Sequence, residues 1–445
     1  MMQMLIYRDY GDFFVVYSAC SRKYLLIEDV YSEFFRMKYV DNIMLDDIAD
    51  TVSTEYSVDK EIVQQDLQNF CNEMENALSY NKSISGEESS ERSTIQQDIF
   101  DKMADLMVPF SATIEITDSC NVNCLHCYRG IPKSSYWTEK TFYDALSELK
   151  SLGTMNLTIT GGEPFTHPLI THFLDITRQL GFVINIQSNL ILLDDAILSA
   201  LQNNIVSDVS VSLYSTNAAE HDAITQFAGS MHKTVANIRR LIANGIPVSI
   251  NCPVMSANQN SMIDLCRFAK ELNIDVKFAL KIIPSQNQTR HVEHFNVFDK
   301  DFILSAMCNP EIGLYAKELN SIRKGKSGVR YCQTGFRSIT FNAQGEMLIC
   351  NAYRKPCGSL NDVAVEDLWQ SSPVLNHWRE RTSLVRDECR ECPAYSYCEP
   401  CPAHSYTQSG DEDSIDQLTC LFGKAFYAAD IDYLKKGGEI NEKGI

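Results

Sequence analysis

Residues 118–130 read DSCNVNCLHCYRG and bring Cys120, Cys124 and Cys127 into eight positions of the chain. Three and then two residues separate the thiols, and no fourth cysteine stands nearby. Such a loop can supply three of the four ligands of a zinc ion. It can equally hold three irons of a four-iron four-sulfur cluster and leave the fourth iron free.

Working outward, the loop follows the first of six strand-like segments. TIEITDS, NLTITGG, FVINIQSN, DVSVSLY, PVSINCPVM and DVKFALKII lie between about 111 and 283, with helical stretches between them. This alternation predicts parallel βαβ units. Six units without a dinucleotide-binding glycine fingerprint suit a partial (β/α) barrel of the α/β class, whose chemistry gathers at the carboxyl ends of its strands. Cys120 sits just past the first strand, and the second ends in TITGGEP, residues 158–164.

Composition narrows the class. A chain of 445 residues exceeds one ordinary core, so several domains are expected. With 39 basic and 58 acidic residues the net charge is 39 − 58 = −19, which speaks against a nucleic-acid groove or an anionic membrane surface as partner. No run approaches the roughly 18 apolar residues of a membrane span, and MMQMLIYRDYGD meets acid too early for a signal peptide, so a cytoplasmic location is expected. In that compartment 16 cysteines point to metal ligation rather than disulfides.

Zinc is an unusual partner for C-x3-C-x2-C. Together with His126 before the last cysteine, and with GGEP about thirty residues further on, the spacing resembles the defining motif of the radical SAM superfamily. The resemblance implies S-adenosylmethionine on a four-iron cluster held by Cys120, Cys124 and Cys127. It implies that Gly161, Gly162 and Glu163 meet the cofactor's amino group, and that Ser188, Asn189, Ser212 and Tyr128 complete the cofactor site. Glycines let a backbone approach a ligand, and Glu163 offers the negative charge an ammonium requires. The basic residue that the family often places after the fourth strand is missing from HDAITQFAG, residues 221–229. The implied chemistry is reductive cleavage to a 5′-deoxyadenosyl radical that abstracts hydrogen, fed by a reducing partner such as flavodoxin or ferredoxin. The protein's share is to orient one substrate C–H bond and exclude water.

Eight cysteines crowd into residues 332–420. Seven of them, running from Cys332 through GEMLIC at Cys350 and ECRECPAYSYCEPC at 388–401 to Cys420, resemble the SPASM domain over roughly 328–425. That domain carries two auxiliary four-iron clusters in enzymes that modify peptides and proteins, which would make three clusters in all. The resemblance implies Cys389, Cys392, Cys398 and Cys420 for the outer cluster and Cys332, Cys350 and Cys401 for the inner one. Two features depart from the family. Only two residues separate Cys398 from Cys401, and the cysteine often found just before Cys332 is missing from SIRKGKSGVRY. The inner site is therefore either open or closed by Cys357 of RKPCGSL, with closure slightly favoured. The other cysteines, Cys20, Cys71, Cys252, Cys266 and Cys308, read as packed thiols.

Ahead of the barrel, LIYRDYG, FFVVYSAC and KYLLIED predict three short strands. Leu45, Ile48, Ala49 and Val52, then Val63, Leu67, Phe70, Met74 and Leu78, recur at helical spacing. Strands followed by about three helices resemble the RiPP recognition element, a small winged-helix domain that binds leader peptides by strand addition. The polar stretch NKSISGEESSERSTIQQDIF reads as a linker. The expected domains are 1–80, a linker at 81–107, a barrel at 108–325 and a cysteine-rich domain at 326–445.

This order is that of ribosomal-peptide maturases. The expected activity is a cross-link, above all a cysteine thioether, in a ribosomal precursor peptide with a leader. Carbon–carbon cross-linking, epimerisation and sulfatase-type formylglycine formation are alternatives, as is a non-enzymatic iron–sulfur carrier or scaffold. In sulfatase-maturing enzymes an aspartate follows the cysteine matching Cys350 and acts as base, whereas here Asn351 follows and cannot take a proton.

Overall fold

The computed structural model describes residues 5–78, 86–129, 135–282, 292–297, 299–312, 332–381, 389, 391–398 and 400–435. At the N-terminus β1 (Leu5–Asp9), β2 (Phe14–Ser18) and β3 (Lys23–Ile27) form an antiparallel sheet in that order. Alternation along β2 splits its side chains between two layers. Phe14 and Val16 pack with Phe34 and Phe35 of α1 (Val30–Phe35), Ile48 and Val52 of α2 (Leu45–Tyr56), and Leu67 and Phe70 of α3 (Lys60–Leu78). Val15 and Tyr17 face the other way, onto Ile99, Met103, Phe110, Met155 and Val183. All five residues of β2 are therefore buried.

Residues 86–105 are not an extended linker. They form α4 (Gly86–Asp105), and its Ile99 and Met103 are fully buried under the N-terminal sheet. The apolar stripe is short: Ile99 and Met103, with Phe100 and Ala104 beside them, occupy only the last turns of a helix that is otherwise polar. Residues 79–85, and the boundary expected at 325/326, lie outside the described residues.

The six expected barrel strands all form. β4 (Ser111–Glu115), β5 (Asn156–Thr160), β6 (Val183–Ser188), β7 (Val206–Ser212), β8 (Val248–Pro253) and β9 (Asp275–Ala279) run parallel in chain order. Between them lie α5 (Glu139–Ser151), α6 (Ile170–Leu180), α7 (Asp195–Gln202), α8 (Ala218–Thr225), α9 (Ser230–Ala243) and α10 (Met262–Leu272). After α11 (Lys300–Cys308), the cysteine-rich region adds β10 (Ser338–Phe341) parallel to β4, then the antiparallel β11 (Glu346–Leu348) and β12 (Pro356–Ser359). One nine-stranded sheet thus runs from β12 to β9, and those two strands stand at its open edges. Among the helices described beyond β12 are α12 (Val365–Ser371), α13 (Pro373–Glu380), α14 (Pro402–Ser409) and α15 (Gln417–Lys435). No helix among the described residues is long and apolar enough to cross a membrane.

The N-terminal sheet is fastened to the amino ends of the barrel strands by Arg8, a charge only 7% exposed. Its Nε donates to Thr154 O at 2.8 Å and its NH2 to Gly181 O at 2.7 Å, and the guanidinium lies 5.2 Å from the centre of the Phe182 ring. Tyr10 and Tyr24 add bonds to Gly153 O and Asn156 Oδ1. Burial without a facing carboxylate lowers the Arg8 pKa to about 10. Arg8→Met keeps the apolar stem but strands two carbonyls, at a cost of roughly 3 kcal/mol. The expected result is faster amide exchange through β1–β3 with the barrel strands unchanged; equal exchange in both proteins would show that the apolar layer alone holds the sheet.

Candidate active site

Two loops at the carboxyl ends of β4 and β5 lie against each other. Gly162 N donates to Thr117 O and Glu163 N to Ser119 O, both at 2.8 Å. A Cβ on Gly162 would stand 2.2 Å from Ser119 O, and one on Gly161 2.5 Å from Thr117 O. The two glycines therefore admit the cysteine loop itself, a backbone-to-backbone approach and not only the approach to a ligand that the sequence suggests. On its other side the cysteine loop is pinned to the end of α8, where Asn123 N donates to Thr225 O at 3.1 Å and Leu125 N to Ile224 O at 3.0 Å.

Between these loops and the strand ends lies a cavity of about 190 Å³. Cys120, Cys124 and Cys127 line it together with Tyr128, Gly161, Gly162, Glu163, Ser188, Asn189 and Ser212, so every residue expected in the cofactor site borders one space. Burial pushes the Cys120 thiol up to about 11 and Cys124 to about 12; Cys127 lies close enough to raise both further, and Cys120 adds to the rise of Cys124. Burial likewise pushes Tyr128 up to about 12.

A mononuclear zinc site gathers its sulfurs around one point about 2.3 Å from each. No three His, Cys, Asp or Glu side chains are so placed among the described residues. The thiols instead ring a cavity that also presents buried polar atoms lacking a hydrogen-bond partner, His126 Nδ1 and, in the same loop, Asn121 Nδ2. That donor set and space suit a group larger than one ion. His126 is held neutral, its pKa lowered to about 4 by burial.

Glu163 is 1% exposed and turned inward. Its Oε1 accepts from Ser188 Oγ at 2.7 Å and Phe165 N at 3.1 Å, and its Oε2 accepts from Asn189 N at 2.7 Å. Burial lifts its pKa to about 7 against the pull of those three donors. One lone pair on Oε2 remains for an ammonium. Ser188 and Asn189 are committed in turn. Ser188 Oγ accepts from Leu190 N at 2.9 Å, while Asn189 Nδ2 donates to Asn121 Oδ1 at 2.8 Å. The network joins the ends of β5 and β6 to the cysteine loop. Leu190 closes it with a φ of +60°, a left-handed conformation costly for a branched side chain and tolerated where its surroundings fix it.

Sequence reasoning missed several lining residues: Thr160, Gln187, Ser210, Tyr214, Asn251 and Arg129. A signal was there for some of them. In SDVSVS the polar positions 208, 210 and 212 alternate with Val209 and Val211, so one face of β7 is polar where its neighbours are packed. Arg129 fills no role after the fourth strand. It is held by carboxylates, with NH2 bonded to Asp118 and NH1 3.5 Å from Glu115. Arg354 grips the same fully buried Glu115 through two bonds, at 2.7 and 3.0 Å.

The tail cysteines fall into groups. Cys350, pushed up to about 12 by burial, is raised further by Cys401 and Cys332, and Cys401 by Cys332, so these three are neighbours. Cys389, Cys392 and Cys398 follow one another through tight turns, Cys392 N to Cys389 O and Cys398 N to Tyr395 O, both at 3.1 Å. Cys398 backs onto α15, which carries Cys420: its Sγ lies 3.9 Å from Thr419 O, and a Cβ on Gly423 would meet Cys398 Cα at 3.0 Å. Cys357 does not join either group. It lies in β12, 7% exposed and packed in the main apolar core, and the groups acting on its thiol are Ser372, Arg379 and Lys355. It stands at a bulge of β12, between Pro356 and Gly358 that pair with β11, and packs into the core, whereas the sequence suggests a short loop that brings it round to Cys350.

Comparison with known proteins agrees with this geometry. Residues 114–269 match the radical SAM superfamily, and residues 332–402 match an iron–sulfur cluster-binding domain, SPASM. PqqA peptide cyclase of Gluconobacter oxydans is 23% identical over 307 residues, covering 64% of this chain and 82% of the cyclase. The antilisterial bacteriocin subtilosin biosynthesis protein AlbA of Bacillus subtilis is 24% identical over 301 residues, 65% of this chain and 66% of AlbA. Among solved structures, Streptococcus suis SuiB bound to its precursor peptide SuiA superposes with a TM-score of 0.61 at 14% identity, covering 94% of this chain and 98% of SuiB. The chain thus carries a radical SAM domain and a SPASM domain.

Proposed function

We propose that this protein is a peptide maturase that installs a cysteine thioether in a ribosomally made precursor peptide. The observation that carries the reading is the pair of loops at the ends of β4 and β5, which ring one cavity with three thiols and a polar strand edge. Cys120, Cys124 and Cys127 would hold the catalytic four-iron cluster there, and Gly161, Gly162, Glu163 and Tyr128 would border S-adenosylmethionine. When bound, these cofactors supply a 5′-deoxyadenosyl radical for hydrogen abstraction. The chain's own part is to fix the loop through Asn121, Asn189 and Glu163, and to keep water from the cavity.

The peptide as substrate is supported by the names of the relatives, a peptide cyclase, a bacteriocin maturation protein and a solved complex with a precursor peptide. The thioether outcome is supported by the inner thiol group. Cys332, Cys350 and Cys401 would leave one iron without a cysteine ligand, while Cys357 is committed to the core, so a substrate thiolate has a place to bind. Cys389, Cys392, Cys398 and Cys420 would hold the outer cluster, for three clusters in total. The N-terminal unit fits leader binding: β3 pairs only with β2 among the described residues, so its other edge can accept a strand. Electrons would come from a flavodoxin- or ferredoxin-type partner.

Cys124→Ala is expected to abolish 5′-deoxyadenosine formation while iron bound by the tail remains, read by product analysis alongside iron content. Full activity in that variant sinks the proposal. Glu163→Gln places an amide donor against Ser188 Oγ or Asn189 N–H, and leaving one such group unpaired costs about 1–3 kcal/mol. S-adenosylmethionine affinity should fall about tenfold. Leu26→Pro, in β3, should impair processing of a full-length precursor yet spare slow uncoupled cofactor cleavage, because the N–H at that position faces away from β2 and proline lacks this backbone donor. Unchanged processing would remove the leader-binding role.

A further inference from the structure

Tyr214 has its hydroxyl 3.7 Å from Cys124 Sγ, inside the cavity wall. It lies two residues beyond β7 and is 5% exposed. The ring is boxed in. His221 stacks on it at 5.3 Å, and His126 meets it edge-on at 4.9 Å and 76°. Its backbone is fixed as well, with N donating to His221 Nδ1 at 3.2 Å and O accepting from Asn258 Nδ2 at 3.0 Å. Ser212, expected from the sequence to meet S-adenosylmethionine, lines the same cavity close to the Tyr214 hydroxyl.

A free thiol could give or take the proton in this contact, but a cluster-bound cysteinate has none, so the phenol must donate. We propose that Tyr214 donates a hydrogen bond to the Cys124 sulfur of the catalytic cluster and thereby raises the reduction potential of that cluster. This rests on the reading of Cys124 as a cluster ligand. Reduction adds one electron shared by the irons and their sulfurs, and a donor aimed at a sulfur stabilises the more negative state more. Hydrogen bonds to cluster sulfurs and burial are the protein's levers on such potentials. The ring is 5% exposed, so bulk water has little access to the position of the hydroxyl. Tyr214 touches no reacting atom and acts through the cluster, as a positioning residue. Its effect is to ease electron entry from an external donor.

The test uses the reconstituted full-length protein, in which the catalytic cluster is recognised by the change of its electron paramagnetic resonance signal on adding S-adenosylmethionine. Tyr214→Phe keeps the ring and its two aromatic contacts and removes only the hydroxyl. The expected result is unchanged iron content and a lower midpoint potential for that cluster, by about a tenfold loss in the reduction equilibrium, roughly 59 mV for a one-electron couple. The auxiliary signals should not move. Replacing Tyr214 by 3-fluorotyrosine, a stronger donor of nearly the same shape, should move the potential upward. If Tyr214→Phe fails to hold the cluster, the sign of the fluorotyrosine shift decides alone. A potential unmoved by these replacements overturns the proposal, whatever happens to activity. A native protein with no S-adenosylmethionine-sensitive cluster overturns the reading of Cys124, and the proposal with it, and is told apart because it fails before any substitution.

Discussion

The cavity exists because Gly162 has no side chain. Its amide reaches Thr117 O and the next amide reaches Ser119 O, both at 2.8 Å, in a space where a single Cβ would stand 2.2 Å from a carbonyl oxygen. With the loops after β4 and β5 flush, Glu163 has nowhere to point except inward, and it collects donors from β6 and from its own turn. That carboxylate then organises Ser188 and Asn189, and Asn189 reaches back to Asn121 beside Cys120. The cysteine loop is thereby held from two strand ends and from α8. Three thiols in a free loop would have to be ordered at the moment of cluster binding. Here most of that entropy is lost on folding.

A second constraint joins the barrel to the cysteine-rich tail. Glu115, at the end of β4 and fully buried, accepts twin bonds from Arg354 and lies 3.5 Å from Arg129. Arg129 follows Cys127 by two residues, and Arg354 follows Cys350 by four. The loop of Cys120, Cys124 and Cys127 and the tail segment after Cys350 are therefore tied to one carboxylate. Burial opposes the Arg129 charge, but Glu115, Tyr128 and Asp118 outweigh it and raise its pKa. A buried pair of this kind is weak as a source of stability, because desolvation offsets most of the attraction. Its value lies in geometry, since bidentate guanidinium–carboxylate bonds fix both distance and direction. β10 pairing on β4 gives the same junction a backbone ladder.

The strands and thiol groups were legible because both follow short-range rules. The barrel segments carry their period of two in plain view, and cysteine spacing survives any change of surroundings. What the sequence hid was settled by tertiary contacts. The short apolar stripe of α4 makes sense only against the N-terminal sheet. Cys357 reads as a loop thiol in RKPCGSL, but it stands at a bulge of β12 and packs into the core. Tyr214 and Cys124 are 90 positions apart, and nothing local says that the hydroxyl of one meets the sulfur of the other. Arg8 is an ordinary strand residue in sequence, and the carbonyls it binds, Thr154 and Gly181, are more than 140 positions away.

The placement of the N-terminal unit sets a length requirement on any peptide it holds. Arg8, Tyr10 and Tyr24 fasten it to residues that precede or begin β5 and β6, whereas the cavity lies at the opposite ends of the same strands. Barrel strands of 5 to 7 residues span roughly 16–23 Å at about 3.3 Å per residue. A peptide paired to β3 must cover at least that height outside the sheet, and the helix layer adds about 10 Å more to the detour. At about 3.4 Å per extended residue, some eight to ten residues must separate the paired segment from the modified one. The reach of a peptide paired there would thus set a lower bound on which of its side chains can enter the cavity, before any recognition inside the cavity begins.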